Sequence, residues 1–218
     1  MKPAEFDSHA AHYDGGLDNP IKRLVGSSAD QFIAVKARWL LRNEPELARG
    51  GLAVLDYGCG AGDLMRVLAG LGARAAFTGC DVSTGMLAEV AKRWPAAFGP
   101  VPTLAVQEGA RTPFAGGQFD IVTISAVLHH VPPAERQAVY RELGRVLKPG
   151  GRIYVFEHNP RNPLVRYVIA RTPIDENAIL LDEKEVRHGL LDSARYDIAS
   201  NYLMFMPPGI TFLRGVDR

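Results

Sequence analysis

The sequence predicts an α/β fold in which a doubly wound, mostly parallel sheet carries helices on both faces. Short apolar runs alternate along the chain with stretches whose apolar residues recur at helical spacing. This alternation requires βαβ crossovers, and runs without polar alternation are typical of parallel strands covered on both faces. The three clearest runs are Leu52–Leu55, Ile121–Ser125 and Ile153–Phe156, and two weaker ones are Arg74–Cys80 and Thr103–Gln107.

Three helical stripes lie between these strands. The first follows a glycine-rich turn, the second ends before Pro95, and the third ends at Pro149 and Gly150. Proline and glycine commonly mark such helix ends. The stripes consist of Leu64, Leu68 and Leu71; of Met86, Leu87, Val90 and Ala91; and of Val139, Leu143, Val146 and Leu147.

A further helix is predicted ahead of the first strand. Ser28 and Gln31 have the spacing of a capping box. The apolar face of this helix would consist of Phe32, Val35 and Trp39. We expect a single domain, with residues 1–45 as a helical cover, 51–158 as a ligand-binding core and 159–218 as an insertion on the side of a second ligand, ending in an edge strand.

The segment after the last clear strand predicts a short helix. Asn162 and Pro163 are typical of an N-cap and a first helical residue. Apolar residues then fall on more than one side of the helix. The segment is therefore either ordinary core or a cover over a second ligand, with Arg161 or Arg166 meeting any anionic group.

The end of the chain predicts one more helix and one more strand. Asp182 and Glu185 have capping-box spacing for a short helix. From Tyr202 to Met206 two sets of apolar residues alternate, which indicates an antiparallel edge strand.

Composition and charge disfavour several classes of function. The 218 residues include 25 basic and 24 acidic side chains, and this balance provides no global field for nucleic acid or an anionic membrane. Two cysteines, Cys59 and Cys80, form neither a disulfide framework nor a zinc pattern. No apolar stretch approaches the roughly 18 residues of a membrane span. We expect a cytoplasmic protein without a nucleic-acid partner.

The most informative segment is VLDYGCGAGD, which joins a predicted buried strand to an amphipathic helix. Gly58, Gly60 and Gly62 allow a tight turn and a close approach of the backbone to a ligand. The dinucleotide fingerprint needs a further glycine where this chain has Asp63, whose negative charge would face a pyrophosphate. Asp56 instead suits a ligand that carries a positively charged amino group.

Two further acidic residues follow the next two strands. Asp81 ends the second strand at the spacing of a carboxylate that accepts hydrogen bonds from both ribose hydroxyls of an adenosine. Glu108 follows the third strand and would accept a hydrogen bond from the exocyclic amine of adenine. The three motifs together predict an adenosine-containing cofactor with a charged amino group.

With these motifs the chain resembles the class I S-adenosylmethionine-dependent methyltransferases, in particular the small-molecule group that includes quinone methyltransferases. The resemblance extends over residues 51–158 and depends on VLDYGCGAG, TGCDVS, FDIVTISAVLHHV and LKPGGRIYVFE. It implies a Rossmann-like fold and S-adenosyl-L-methionine (SAM) as the cofactor.

The resemblance also implies roles for individual residues. Gly58, Gly60 and Gly62 would lie against the methionine portion of SAM and Asp56 near its amino group. Asp81 would bind the ribose, and Val82 would pack on the adenine that Glu108 contacts. Ser125, at the end of the fourth strand, would lie near the sulfonium with its carbonyl facing the methionine.

Candidate catalytic residues are His129, His130 and His158, which follow strands at the edge where α/β sheets bind ligands. One of them would act as a general base near neutral pH, which favours a small-molecule acceptor with an oxygen nucleophile. The competing interpretation is that they pack and cap a turn. A metal site from these histidines and Glu157 is conceivable, but no compact ligand motif supports it and we expect none.

Further assignments concern two aromatic residues near the start of the chain and Cys59. Phe6 and Tyr13 would either cover the cofactor or pack as an ordinary helix. Cys59 fits a small residue in a tight turn better than a nucleophile, because no basic neighbour in the sequence lowers its pKa. A non-catalytic SAM-binding protein and a dinucleotide-dependent oxidoreductase are the alternative functions.

Overall fold

The computed structural model describes residues 6–7, 29–194 and 196–203. Within these residues one sheet contains five strands, and every neighbouring pair is parallel: β1 Ala53–Tyr57, β2 Ala76–Asp81, β3 Thr103–Val106, β4 Phe119–Ser125 and β5 Leu147–Phe156. The α/β fold class predicted from the sequence is thereby confirmed. The strand order across the sheet is β3-β2-β1-β4-β5.

Helices connect and flank the strands near the positions that the stripes predict, but Leu71 and Ala91 are exposed, and Leu147 begins a strand. They are α1 Ala29–Asn43, α2 Asp63–Gly70, α3 Thr84–Arg93, α4 Pro133–Val146, α5 Pro163–Ile169 and α6 Glu183–Leu191. Two predicted caps form: Asn162 accepts hydrogen bonds from the N–H groups of Leu164 and Val165, and Asp182 accepts one from Glu185. Ser28, the predicted cap of α1, lies outside the described residues.

The two faces of the sheet bury separate clusters, because successive side chains of a strand point to opposite faces. On one face Val54 and Ile121 pack with Leu40 of α1 and Leu68 of α2. On the other face the strands pack against α4, as the members of this second cluster show. They include Leu55, Tyr57, Val122, Ile124, Val139, Tyr140 and Leu143.

The apolar face predicted for α1 is not the face that the helix buries. The buried stripe of α1 consists of Ala37 and Leu40. The predicted stripe, Phe32, Val35 and Trp39, is only partly buried and borders a cavity at the edge of the sheet. The sequence pattern found the apolar residues but could not distinguish packing against the sheet from lining a cavity.

The C-terminal edge strand is not formed in the described part of the chain. Residues 201–203 have no regular secondary structure, and Met204 and Met206 lie outside the described residues. The prediction for those two residues therefore stays a prediction. No helix in the described residues combines the length and the apolar character needed to cross a bilayer.

Candidate active site at the carboxyl edge of the sheet

The strand order places a cleft beside β1. The chain passes from β1 to β2 on one side, and β4 pairs with β1 on the other side. Ligands of open α/β sheets bind at such a switch point, beyond the carboxyl ends of the strands. A cavity of about 1450 Å³ lies there. The same cavity continues along β5 to the residues at its amino end, so only part of this volume lies at the switch point.

The glycine loop forms one wall of the cavity. Gly58 has φ +67°, and a Cβ added there would lie 2.5 Å from Cγ2 of Val127. Gly60 has φ +52° and borders the cavity, and a Cβ there would meet nothing within 4 Å. Gly62 does not border the cavity; a Cβ there would lie 2.9 Å from Cγ1 of Val90. Gly60 therefore leaves open space for a ligand, whereas Gly62 serves packing.

Asp81 lies at the end of β2, next to this loop. Its Oδ2 accepts a hydrogen bond from the N–H of Gly60 (2.8 Å), and its Oδ1 accepts one from the N–H of Ser83 (2.9 Å). Burial raises the pKa of Asp81, and these backbone N–H groups oppose that effect. A carboxylate has about four acceptor sites, so Asp81 can still accept a hydrogen bond from a further donor. Val82 follows directly, is buried and borders the cavity.

Asp56 lies deeper in the same wall. Its Oδ1 accepts a hydrogen bond from Oγ1 of Thr123 at 2.8 Å. Burial raises its pKa to about 7, although Thr123 and the positive charge of Lys36 lower it. A carboxyl group in this environment is readily ionised by a cationic ligand, since an opposite charge nearby favours the charged form.

Asp63 has a different environment from the one that we expected. Its Oδ1 lies 3.0 Å from Arg93 and 3.2 Å from Arg66, so two guanidinium groups offset its charge. The predicted repulsion between Asp63 and a pyrophosphate is correspondingly weaker. The charge of Asp63 therefore does little to disfavour the binding of a dinucleotide.

Gln107, rather than Glu108, borders the cavity near the end of β3. Glu108 is exposed, and its backbone pairs with that of Arg111. The Nε2 of Gln107 donates to the carbonyl of Gly109, while its buried Oε1 has no hydrogen-bond partner among the described residues. The adenine contact predicted for Glu108 is therefore not supported by its position, and sequence reasoning missed Gln107.

The end of β4 is held by a lysine that sequence reasoning also missed. Nζ of Lys36, from α1, donates a hydrogen bond to Oγ of Ser125 at 2.8 Å. The next residue, Ala126, has φ +59°, a strained conformation for a residue with a Cβ. Strain at this point is consistent with a functional turn, since Ser125, Ala126 and Val127 all border the cavity.

His129 and Glu157 form a buried pair across the ends of β4 and β5. Nδ1 of His129 lies 2.7 Å from Oε2 of Glu157, whose Oε1 accepts hydrogen bonds from the N–H groups of Val127 and Leu128. Burial lowers the pKa of His129, but Asp175 and Glu157 raise it by more than burial lowers it, so the pKa is about 9. The pKa of Glu157 is held below its usual value by His129 despite burial.

Asp175 joins the histidines from the short turn Pro173–Asp175 after α5. Its Oδ1 lies 3.4 Å from Nε2 of His129 and 3.4 Å from Nε2 of His130. The ring of His158 is 5.0 Å from that of His129, and burial lowers the pKa of His158 to about 4. All three predicted histidines are thus brought together at the cavity, with an acid that no sequence motif marks.

The acceptor side of the cavity is largely apolar. Leu164, Val165, Val168 and Ile169 of α5 border it. Arg161 also borders it, whereas Arg166 is exposed and does not. The ring of Phe6 packs edge-on against His130 at 5.2 Å, and Tyr13 lies outside the described residues. Burial raises the pKa of Cys59 far above its usual value, which opposes a nucleophilic role.

The same region matches a known family model. Residues 54–151 match the model described as a methyltransferase domain. The chain is 42% identical over 159 residues to demethylmenaquinone methyltransferase of Beutenbergia cavernae, covering 72% of this chain and 62% of that protein. It is 33% identical to the ubiquinone/menaquinone biosynthesis C-methyltransferase UbiE of Syntrophotalea carbinolica, over 73% of this chain and 62% of that protein. The chain thus spans less than two thirds of the length of these relatives.

Solved structures show the same likeness. The magnesium protoporphyrin IX methyltransferase of Synechocystis is 27% identical in sequence. The structure with bound SAM gives a TM-score of 0.56 and covers 80% of this chain and 74% of that one. The structure with bound SAH gives a TM-score of 0.59 and covers 80% of this chain and 78% of that one.

Proposed function

The chain belongs to the class I SAM-dependent methyltransferases through residues 54–151, and from this premise we propose that it methylates a hydroxyl oxygen of a small-molecule acceptor. The proposal rests on one observation: a single cavity whose two halves are lined by side chains of different chemistry. Asp56, Gly60 and Asp81 border one half, and the histidine cluster with apolar α5 borders the other.

The cofactor half fits SAM by its own chemistry. Open space at Gly60 admits a chain that passes close to the backbone. Asp56, a buried carboxyl with a pKa of about 7, suits the amino group of the methionine portion. Asp81 keeps acceptor capacity on the side of the ribose, and Oε1 of Gln107, which has no hydrogen-bond partner among the described residues, suits the amine of adenine.

When bound, SAM supplies a methyl group that is already activated on a sulfonium. The protein therefore has to orient the acceptor and remove its proton. His130 is the proposed proton acceptor, because its ring borders the cavity and its Nε2 faces Asp175. Asp175 would stabilise the imidazolium that forms. Apolar side chains of α5 would exclude water from the acceptor.

A ring carbon is the second candidate nucleophile, and the printed names of the relatives favour it. One of them is named a C-methyltransferase of quinone biosynthesis. Loss of a proton from a phenolic hydroxyl activates the adjacent ring carbon as well as the oxygen, so the same base serves both reactions.

Incubation with ¹³C-methyl SAM and a panel of phenols and reduced quinones tests the proposal. Oxygen methylation predicts a methyl carbon resonance in the methoxy range, and carbon methylation predicts one in the aryl-methyl range. His130→Ala should lose turnover and keep SAM binding. Full activity of that variant on the true acceptor would eliminate His130 as the base.

A further inference from the structure

Three side chains of the cavity present ligand atoms to a common point. They are His129, His130 and Asp175, whose ligand atoms all lie within 4.8 Å of one another, and Oδ1 of Asp175 faces Nε2 of both histidines. His129 is 1% exposed, and its Nε2 has no hydrogen-bond partner within the described residues although Asp175 is near. The contact between this buried nitrogen and the carboxylate of Asp175 is an ion pair outside hydrogen-bond geometry, which is uncommon for a buried polar group.

The distances fit a shared cation better than direct hydrogen bonds. Oδ1 of Asp175 is 3.4 Å from each of the two Nε2 atoms, longer than the roughly 2.7–3.2 Å of an N–H···O bond. Zinc binds histidine nitrogen and carboxylate oxygen at about 2.0–2.2 Å in a tetrahedron, which places ligand atoms about 3.3–3.6 Å apart. The two separations from Asp175 fall in that range, and the ligand atoms of His129 and His130 lie within 4.8 Å of each other.

Glu157 supplies the outer contact that metal-binding histidines usually have. Its Oε2 lies 2.7 Å from Nδ1 of His129, on the side of the ring opposite the cluster. A carboxylate there fixes the ring with Nε2 directed at the cluster, where a bound metal would displace the Nε2 proton. The N–H groups of Val127 and Leu128 hold Glu157 in turn.

We propose that His129, His130 and Asp175 bind one divalent transition-metal ion, with Zn²⁺ as the best match in ligand type and geometry. All three residues border the cavity, so a fourth position is directed toward the acceptor side. The acceptor hydroxyl would occupy that position, and this part of the inference rests on the proposed function. With the ion bound, His130 is a ligand rather than a base, and the metal acidifies the hydroxyl instead.

Calorimetric titration of the full chain with Zn²⁺ tests the site, using protein without a histidine tag and freed of metal by a chelator. We expect one ion per chain. His130→Ala and Asp175→Asn should each weaken binding at least about tenfold, the lower bound for the loss of even an outer-shell partner. Matched controls are His188→Ala and Glu176→Gln, at exposed positions outside the cluster; both should bind as the wild type does.

The absence of saturable Zn²⁺ binding by the folded chain would overturn the proposal, and so would equal affinity in the site and control variants. Circular dichroism establishes which variants fold. If Asp175→Asn does not fold, the Zn²⁺ affinity of His130→Ala alone tests the site. SAM affinity is measured in the same metal-free preparations. Retained SAM binding without Zn²⁺ binding refutes only the metal site, whereas loss of SAM binding by the wild type refutes the proposed function.

Discussion

The N–H of Gly60 donates a hydrogen bond to Oδ2 of Asp81 at 2.8 Å, so the glycine loop after β1 is fixed to the end of β2. Two motifs that are separate in the sequence therefore form one wall of the cavity. Because the second oxygen of Asp81 is held by the N–H of Ser83, the carboxylate has a single orientation. A ribose would meet acceptors that are already in place.

Asp81→Ala should weaken SAM binding by about 1.5–3 kcal/mol, the range for hydrogen bonds to charged groups. This corresponds to a loss of about 10- to 150-fold in affinity. Calorimetry with the folded variant measures it, and Asp192→Ala, an exposed aspartate outside the cavity, is the control. Unchanged affinity in the Asp81 variant would remove this residue from the cofactor site.

Asp56 should make stability depend on pH. Burial raises its folded pKa from 3.8 to about 7. The folded chain thus keeps a proton that the unfolded chain releases near 3.8, and the resulting stabilisation is complete below 3.8 and lost as the pH rises through 7. The unfolding free energy of the wild type minus that of Asp56→Asn should fall by about 1–4 kcal/mol across this window. A flat difference in urea unfolding would contradict this environment.

Lys36 should influence the pH at which the stabilisation from Asp56 is lost. Its positive charge lowers the pKa of Asp56, so Lys36→Met should move the midpoint to higher pH. Lys36→Arg keeps the charge and serves as the control. The same urea unfolding series measures both variants, and an unmoved midpoint in Lys36→Met would show that the two charges do not interact.

Alanine at Gly58 and at Gly60 should have different consequences. Both residues have positive φ, which for an L side chain costs roughly 1–2 kcal/mol. Only at Gly58 does the new Cβ also collide with Val127, so Gly58→Ala should be the more destabilising variant, and Val127→Ala should recover part of the loss. Gly60→Ala should mainly weaken SAM binding. Equal unfolding free energies for the two variants would contradict this distinction.

The sequence predicts the sheet well because local signals specify it. Continuous apolar runs marked the strands, and Asn162 and Asp182 form the caps that their spacing indicates. The site residues that the sequence did not predict have no such local signals. Lys36 reaches Ser125 from a helix distant in the sequence, and Asp175 meets the histidines from an irregular turn.

The adenine-side residue shows the limit of a motif. The family pattern selects Glu108, yet the residue that borders the cavity is its neighbour Gln107. Which side chain faces a cavity depends on the direction of the chain as it leaves β3. That direction is set by packing and by the Glu108–Arg111 backbone pair, not by residue type.

Acceptor-dependent formation of S-adenosylhomocysteine from SAM tests the central claim most directly. Mass spectrometry of reactions with phenols and reduced quinones should show the product accumulate together with a methylated acceptor, and Asp81→Ala should slow it in proportion to its loss of SAM affinity at subsaturating SAM. If the folded wild type binds SAM but forms no S-adenosylhomocysteine above the protein-free rate with any acceptor of the panel, the chain is a SAM-binding protein and the proposed methyl transfer is wrong.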